Sequence, residues 1–470
     1  MRQLLRGRGR ALVAASLAVV VAGFGLGSSG VASAGTTSRP TPVDGVTPAS
    51  SITMWTDNAP DESWQQPLLA GFTKQTGIKV TYDAFPQTLM ETGQKVIAGL
   101  EAKSTDFTIF ESPESETSDY LALKGPAPIN SDIKNRTLTP ASFDFAGLPK
   151  GSYAQCDVGD RIYCFPVDTD PGPEMFYNKA MFKAAGLTPP KNWTQVLTDA
   201  NKLTTKTHAG ICIRGSESAP NGYPVLLMLP YFLPYAPNYQ GEYLNAHWKP
   251  LFDTPQALKW ANEYATLMQK DTPAGIGSFS FPQCTQAFDT GKVAMFWDDS
   301  TLANTLFEKS QDPKEYRNAG IDEIPCPKWN QTCLLSAPWG MYINANASKP
   351  KQLAAYELME YLVSPKVQIE ALNESKNPTV DSRPATTAYA IKQGASKYGV
   401  PADYLSAIEY AANHIEPNAI PVTAAFAAIQ NVLFVTLSKL IAAEINPKQA
   451  LQELQSQMVS TLKTFHLPPS

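Results

Sequence analysis

The apolar positions of this chain change period repeatedly, and the changes mark its elements. "SITMW" at 51–55 reads as a strand that breaks at "TDNAPDES", where Pro60 and a cluster of Asp, Asn and Ser signal a loop. Trp64, Leu68 and Phe72 then recur every fourth residue, one face of a helix that Gly77 ends. Ile78, Val80 and Tyr82 alternate, which predicts a second strand. A helix over about 87–102 and a strand at "DFTIF" follow, and that strand runs into the acidic loop "ESPESETSDY". Strand, loop, helix, strand is the unit of a parallel sheet with helices over its faces, so the chain is of α/β class.

The same alternation continues. "YCFPV" at 163–167 reads as a strand, and an acid- and proline-rich loop carrying Asp168 and Asp170 comes next. "YNKAMFKAAG" then forms a short helix ending at Gly186. Asn192 is placed to cap the following helix with Gln195 three residues on, and Trp193, Val196 or Leu197, Ala200 and Leu203 supply its apolar face. "GKVAMFW" and "WGMYINANA" are further strands, the first ending in Asp298, Asp299 and Ser300. The stretch from 349 to 372 is helical, and the chain beyond it is helical with proline breaks.

The N-terminus does not belong to this pattern. Arg2, Arg6, Arg8 and Arg10 precede the apolar run "ALVAASLAVVVAGFGLG", and Ala32, Ser33 and Ala34 offer small residues for cleavage, so residues 1–34 read as an export signal. A membrane anchor is the rival, disfavoured by the shortness of the run and its Ala and Gly content. Residues 35–50, "GTTSRPTPVDGVTPAS", have no apolar period and read as a disordered tether. No cysteine lies near the cleavage site to accept a lipid anchor. The apolar stretch "AFAAIQNVLFVTLSKLIAAEI" is interrupted by Gln430, Asn431 and Lys439, which marks a buried or amphipathic helix rather than a span. The expected location is therefore extracellular or periplasmic.

Charge and cysteine usage narrow the function. The net charge of −5 argues against nucleic acid, which needs dense Lys and Arg to neutralise phosphates. All six cysteines fall beyond the leader, and an even number in an oxidising compartment favours disulfides. The expected pairs are Cys156–Cys164, Cys212–Cys284 and Cys326–Cys333; each of the two short loops would add about 2–3 kcal/mol by the loop-entropy account. Metal is the rival, but the sequence has no C-x-x-C pair and only four histidines. No metal or cofactor is expected.

Several stretches, in order, resemble one family. "GDRIYCFPVDTDPGPEMFYNKAMFKAAGLTPPKNWTQVL", "ITMWT…LLAGFTKQTGIKVTY", "AFDTGKVAMFWDDS", "PWGMYINANASKPKQLAAYELMEYLVSPKVQ" and "DSRPA" are together similar to segments of family 1 extracellular solute-binding proteins, the sugar-binding components of ABC importers. The resemblance implies a two-lobed periplasmic-binding-protein type II fold. Each lobe is a sheet flanked by helices, and the ligand sits in the cleft between them. Residues 51–167 and 340–383 would form the N-terminal lobe, 168–339 and 384–470 the C-terminal lobe. "VDTDPGPEMFYN" would then be the first hinge crossing, with Tyr177 entering the second lobe. Maltodextrin-binding members carry a tryptophan where this chain has Ala427, so the resemblance implies a smaller sugar or another polar solute. It also implies ABC permease subunits as partners and a monomer.

In open α/β sheets, ligands sit beyond the carboxyl ends of strands. Sugar hydroxyls suit carboxylate acceptors, and aromatic faces cover the apolar side of a pyranose. The loop positions that supply these groups are Trp55, Asp57, Asn58, Glu111, Glu114, Asp168, Asp170, Tyr177, Tyr223, Trp297, Asp298, Asp299 and Trp339. Each has a plainer role open to it, the tryptophans as core residues and the aspartates as caps. A secreted carbohydrate-active enzyme using two carboxylates, or an adhesion module, is the alternative. Adjacent acids do not imply the opposed geometry such catalysis requires, and no G-x-S-x-G or phosphate-binding glycine motif occurs beyond the expected leader.

Overall fold

The computed structural model describes residues 41–467, apart from 58–62, 86–88, 169–170, 173, 217–227, 234–240, 242, 299–317, 329–332, 337, 376–382, 401 and 417–419. The expected leader lies outside the described residues.

From residue 43 the chain is already docked. Val43 is 4% exposed within a core cluster, and Val43 and Val46 exchange backbone hydrogen bonds of 2.9 Å. Ala49 N donates to Pro350 O at 2.8 Å, and the Asp44 carboxylate accepts from Asn135 Nδ2 at 3.0 Å. The disorder expected over 35–50 therefore does not hold for 43–49. Two valines give this otherwise polar stretch enough apolar surface to bury, a signal too short to register as a period.

The strands used below are β1 (Ser51–Asp57), β2 (Lys79–Phe85), β3 (Ile109–Pro113), β4 (Cys164–Asp168), β5 (Pro171–Gly172), β6 (Glu174–Asn178), β7 (Ala209–Cys212), β8 (Val293–Asp298), β9 (Ala319–Asp322), β10 (Leu335–Ser336) and β11 (Trp339–Ile343). They form a five-stranded sheet in the order β2-β1-β3-β11-β4 and a four-stranded sheet in the order β9-β6-β8-β7. In the first, β1 runs parallel to β2 and β3, while β11 is antiparallel to β3 and β4. In the second, β8 is parallel to β7, and β6 is antiparallel to both β8 and β9. The short strands β5 and β10 pair with each other, antiparallel, on the two segments that pass from one sheet to the other.

Each sheet carries its own core. The helices used below are α1 (Leu69–Thr76), α2 (Leu89–Glu101), α3 (Lys179–Ala185), α4 (Trp193–Leu203), α5 (Pro255–Lys270), α6 (Phe281–Asp289), α7 (Lys349–Val363), α8 (Pro365–Ser375), α9 (Pro384–Gln393), α10 (Ala402–Asn413), α11 (Phe426–Ile441) and α12 (Pro447–Thr464). One core joins Met54, Phe72, Ile109, Phe165 and Met341 to Tyr356, Leu358 and Leu362 of α7. The other joins Phe176, Ile211, Met295 and Trp297 to α4 and α5, and to the C-terminal helices α10, α11 and α12. Helix α8 lies between the two: Val367 and Ala371 belong to the first core, Leu372 to the second. The described residues of α11 bury Ile429, Leu433 and Leu437, and no helix of the described residues is long and apolar enough to cross a membrane.

Local chemistry explains the boundaries. Gly77 takes a positive φ of 77° and donates to Thr73 O, ending α1. Asn192 Oδ1 accepts from Gln195 N at 3.0 Å, the cap expected for α4. Strand β8 is buried along its whole length, so its residues 293–297 are an unbroken apolar run rather than an alternation. Ahead of α1, residues 63–68 form a tighter 3₁₀ turn around Pro67. All three expected disulfides are present, Cys156–Cys164, Cys212–Cys284 and Cys326–Cys333, with Cα separations of 5.6, 5.6 and 5.4 Å. The first sits against β11, where Gly340 is required: a Cβ there would come within 2.7 Å of Cys164 Sγ.

Candidate functional site

Strand register shows where the expected residues fall. In the first sheet Trp339 pairs with both Pro113 and Asp168, so the start of β11 and the ends of β3 and β4 share one edge. In the second sheet Asp298 pairs with Glu174, and Asp322 with Met175, so the ends of β8 and β9 share an edge with the start of β6. The crossing segments leave and join the sheets at these edges, at Asp168, Glu174, Asp322 and Trp339. Both carboxylate-bearing edges therefore face the β5–β10 connection.

Behind the first edge, at the middle of β3, lies Glu111. Its carboxylate is fully buried, accepting from Thr56 Oγ1 at 3.0 Å and from Gln65 Nε2 at 2.8 and 2.9 Å. Beside it, Glu116 accepts from Ser112 Oγ at 3.1 Å and from the Tyr120 hydroxyl. Burial pushes the Glu116 carboxyl above its ordinary range, against the opposing pull of those two hydrogen bonds. Glu114 is 1% exposed, and the Thr117 hydroxyl below it bonds both Glu114 O and the Tyr342 hydroxyl, each at 2.7 Å.

The second edge is built around Asp298. This carboxylate is also fully buried, and it accepts from Arg214 Nε at 2.8 Å and Nη2 at 2.5 Å. The guanidinium carbon lies 5.2 Å from the centre of the Phe281 ring. Glu174, 1% exposed, starts β6 beside it.

The aromatic residues are placed differently from the sequence expectation. Trp297 is fully buried in the second core, edge-on to Trp193 at 5.1 Å and to Tyr231 at 6.0 Å. Trp55 stacks on Phe107 at 4.1 Å, with Phe85 at its edge and Lys95 Nζ 5.1 Å from its centre. Trp339 is 6% exposed. Tyr177 sits three residues along β6 from Glu174, roughly 10 Å away at strand rise, where it pairs with Met295 and Gly320. Its ring packs on Phe182, and burial, aided by the charges of Asp403 and Asp322, pushes its hydroxyl up to about 12. The register thus gathers Glu114, Trp339 and Asp298 at the two edges, with the backbones of Asp57 and Asp168; Glu111 pairs with Met341 at mid-strand, two residues in from the first edge, and Tyr177 stands at the opposite end of its sheet. Asn58, Asp170, Tyr223 and Asp299 lie outside the described residues, as do the side-chain placements of Asp57 and Asp168.

Gln65, Glu116, Glu174 and Arg214 were missed by the sequence reading. Arg214 pairs with a residue 84 positions away, and no local pattern announces such a pair. Glu116 is the exception, since it stands in the acidic loop already singled out. Among the described residues one trio could offer metal ligands, Glu114, Cys156 and Cys164, but both sulfurs are consumed by the disulfide.

Comparison with known proteins places this architecture. The model of the bacterial extracellular solute-binding protein family matches residues 55–369. The chain therefore belongs to that family of binding proteins. It is 25% identical over 317 residues to an erythritol/L-threitol-binding protein of Mycolicibacterium smegmatis, covering 63% of each chain. The matches span between 31% and 63% of the lengths of the curated relatives. Among solved structures, an ABC transporter solute-binding protein of Agrobacterium vitis S4 with bound D-mannitol superimposes with a TM-score of 0.69 at 22% identity, over 88% of this chain and 98% of that one. One from Agrobacterium radiobacter K84 in complex with ribitol gives 0.72 at 20% identity, over 90% and 100%. These likenesses establish the two-lobed type II fold, with a sheet flanked by helices in each lobe.

Proposed function

We propose that the chain captures a small polyhydroxylated solute, a sugar or a sugar alcohol, by closing its two lobes, and delivers it unchanged to an ABC permease. The observation that carries this reading is the pair of carboxylate-bearing strand edges turned toward one two-stranded connection. The lobes are taken as 51–167 with 340–383, and 168–339 with 384–470; the protein acts as an exported monomer without catalysis. Ligand contacts are assigned to the edges: Glu111, Glu114, Asp298 and Trp339, with Asp57, Asn58, Asp168, Asp170, Tyr223 and Asp299 on adjoining segments.

Trp55 and Trp297 pack on other aromatic rings, which leaves Trp339 as the described tryptophan assigned to the solute, whereas acceptors are plentiful. A site dominated by hydrogen bonding suits an acyclic polyol, which has no flat apolar face. The mannitol, ribitol and erythritol/threitol in the names of similar proteins point the same way. Closure requires the solute to prefer the closed form by about 5.5 kcal/mol to reverse a 1:99 balance.

A thermal-shift screen of tetritols, pentitols, hexitols and common mono- and disaccharides tests this. At a hundredfold excess over Kd a true ligand adds about 2.7 kcal/mol of stability, and small-angle scattering should show compaction. Chemical turnover of the solute, or stabilisation without compaction, would defeat the reading.

A further inference from the structure

Arg383 is a buried cation whose side chain and backbone serve different lobes. It is 2% exposed, and its guanidinium donates to three backbone carbonyls: Nε to Val363 O at 2.6 Å, Nη1 to Asp144 O at 2.9 Å, and Nη2 to Phe143 O at 2.9 Å. Val363 ends α7 and Phe143 lies in the first core, so all three acceptors belong to the first lobe. The guanidinium carbon also lies 4.9 Å from the centre of the Phe143 ring. Burial lowers the guanidinium to about 10, with Asp144 and Glu360 opposing the shift, so it stays charged at neutral pH.

The backbone of Arg383, by contrast, starts α9. Its carbonyl accepts from Thr386 N at 2.9 Å, and Ala390 of that helix lies in the second core. Arg383 thus stands where the chain passes between the lobes for the third time.

The second crossing is pinned from the other side. Leu334 N donates to His414 O at 3.1 Å and Leu334 O accepts from Glu416 N at 2.7 Å. The disulfide Cys326–Cys333 and a 2.7 Å bond from Cys326 N to the Tyr410 hydroxyl hold the preceding loop to α10. From Trp339 onward the chain is locked into the first sheet. Between those pins lies β10, which pairs with β5 of the first crossing, each two residues long.

We propose that Arg383 is a positioning residue for closure: it clamps the third crossing to the first lobe, confines lobe rotation to β5 and β10, and so sets the balance between open and closed forms. This rests on the capture-by-closure reading above. A guanidinium can satisfy three diverging carbonyls at once, and an ammonium cannot do so with the same planar geometry. A conformational balance shifted away from the binding-competent form lowers apparent affinity by that fraction, even while every group that touches the solute stays in place.

The test uses the full exported chain with spin labels at Lys134→Cys and Lys270→Cys, one in each lobe, and compares Arg383→Gln and Arg383→Lys with the parent. Without ligand, Arg383→Gln should broaden or displace the interlobe distance distribution, and Arg383→Lys should fall between it and the parent. Affinity for the best ligand of the screen should fall about tenfold in Arg383→Gln and less in Arg383→Lys. A parent-like distance distribution in a folded Arg383→Gln overturns the proposal. Should that variant not fold, a parent-like distribution in Arg383→Lys overturns it equally. The ligand-free distances do not depend on which solute binds, so a failed ligand screen would count against the functional reading and leave this comparison standing.

Discussion

The two strand edges solve the same problem, a fully buried carboxylate, in opposite ways. Glu111 in the first lobe is held by neutral donors, the amide of Gln65 and the hydroxyl of Thr56. Asp298 in the second is held by a guanidinium that grips both its oxygens. Neutral donors orient a carboxylate without cancelling its charge, whereas a bidentate arginine cancels it. The first lobe thus orients its acid with uncharged donors, and the second pairs its acid with a cation.

Mutations can break that contrast, and the largest effects are expected on the second edge. Arg214→Met strands a buried charge and should cost about 3–5 kcal/mol in chemical denaturation. The double variant Arg214→Met with Asp298→Leu should recover a substantial part of that loss; equal or greater destabilisation would show that the pair is not self-contained. Trp297→Ala opens a cavity in the second core and is expected to cost about 3–5 kcal/mol as well, so loss of binding in that variant reports on folding rather than on the site.

On the first edge the effect should be functional. Glu111→Gln keeps shape and removes charge. Its stability loss should stay near 1.5–3 kcal/mol, the scale of hydrogen bonds to a charged group, while affinity for the solute drops roughly tenfold or more. Unchanged affinity would remove Glu111 from the site.

The last effect concerns pH and acids of α7 rather than the strand edges. Burial pushes Glu357 and Glu360 on α7 up to about 7. In the unfolded chain they titrate near the ordinary 4.3, so between about pH 4.3 and 7 the unfolded state has lost protons that the folded state keeps. Their contribution to stability should therefore fall as pH rises through that window and level off above it. Melting temperatures across it should show the slope, and Glu357→Gln with Glu360→Gln should flatten it.

Much of this fold was legible because its signals are local. The turn at Gly77, the cap at Asn192 and the unbroken run of β8 each depend on neighbours within a few residues. The disulfides were legible from compartment and spacing. Strand β6 was not, because Pro171 and Pro173 made the segment read as a loop, which placed Tyr177 at the start of a helix instead of inside a strand. Arg214 and Arg383 were invisible for a related reason: their partners are 84 and up to 240 residues away. Distance in sequence, not weakness of the interaction, hid them.

The docked segment at Val43–Ala49 carries a practical corollary. Because it is sewn onto the same body as α7, a fluorophore or surface linker attached within this segment would report on that body alone. A reporter built this way would need its second probe on the other half of the molecule to register a captured solute, and immobilisation through this end should leave the opposite jaw unhindered.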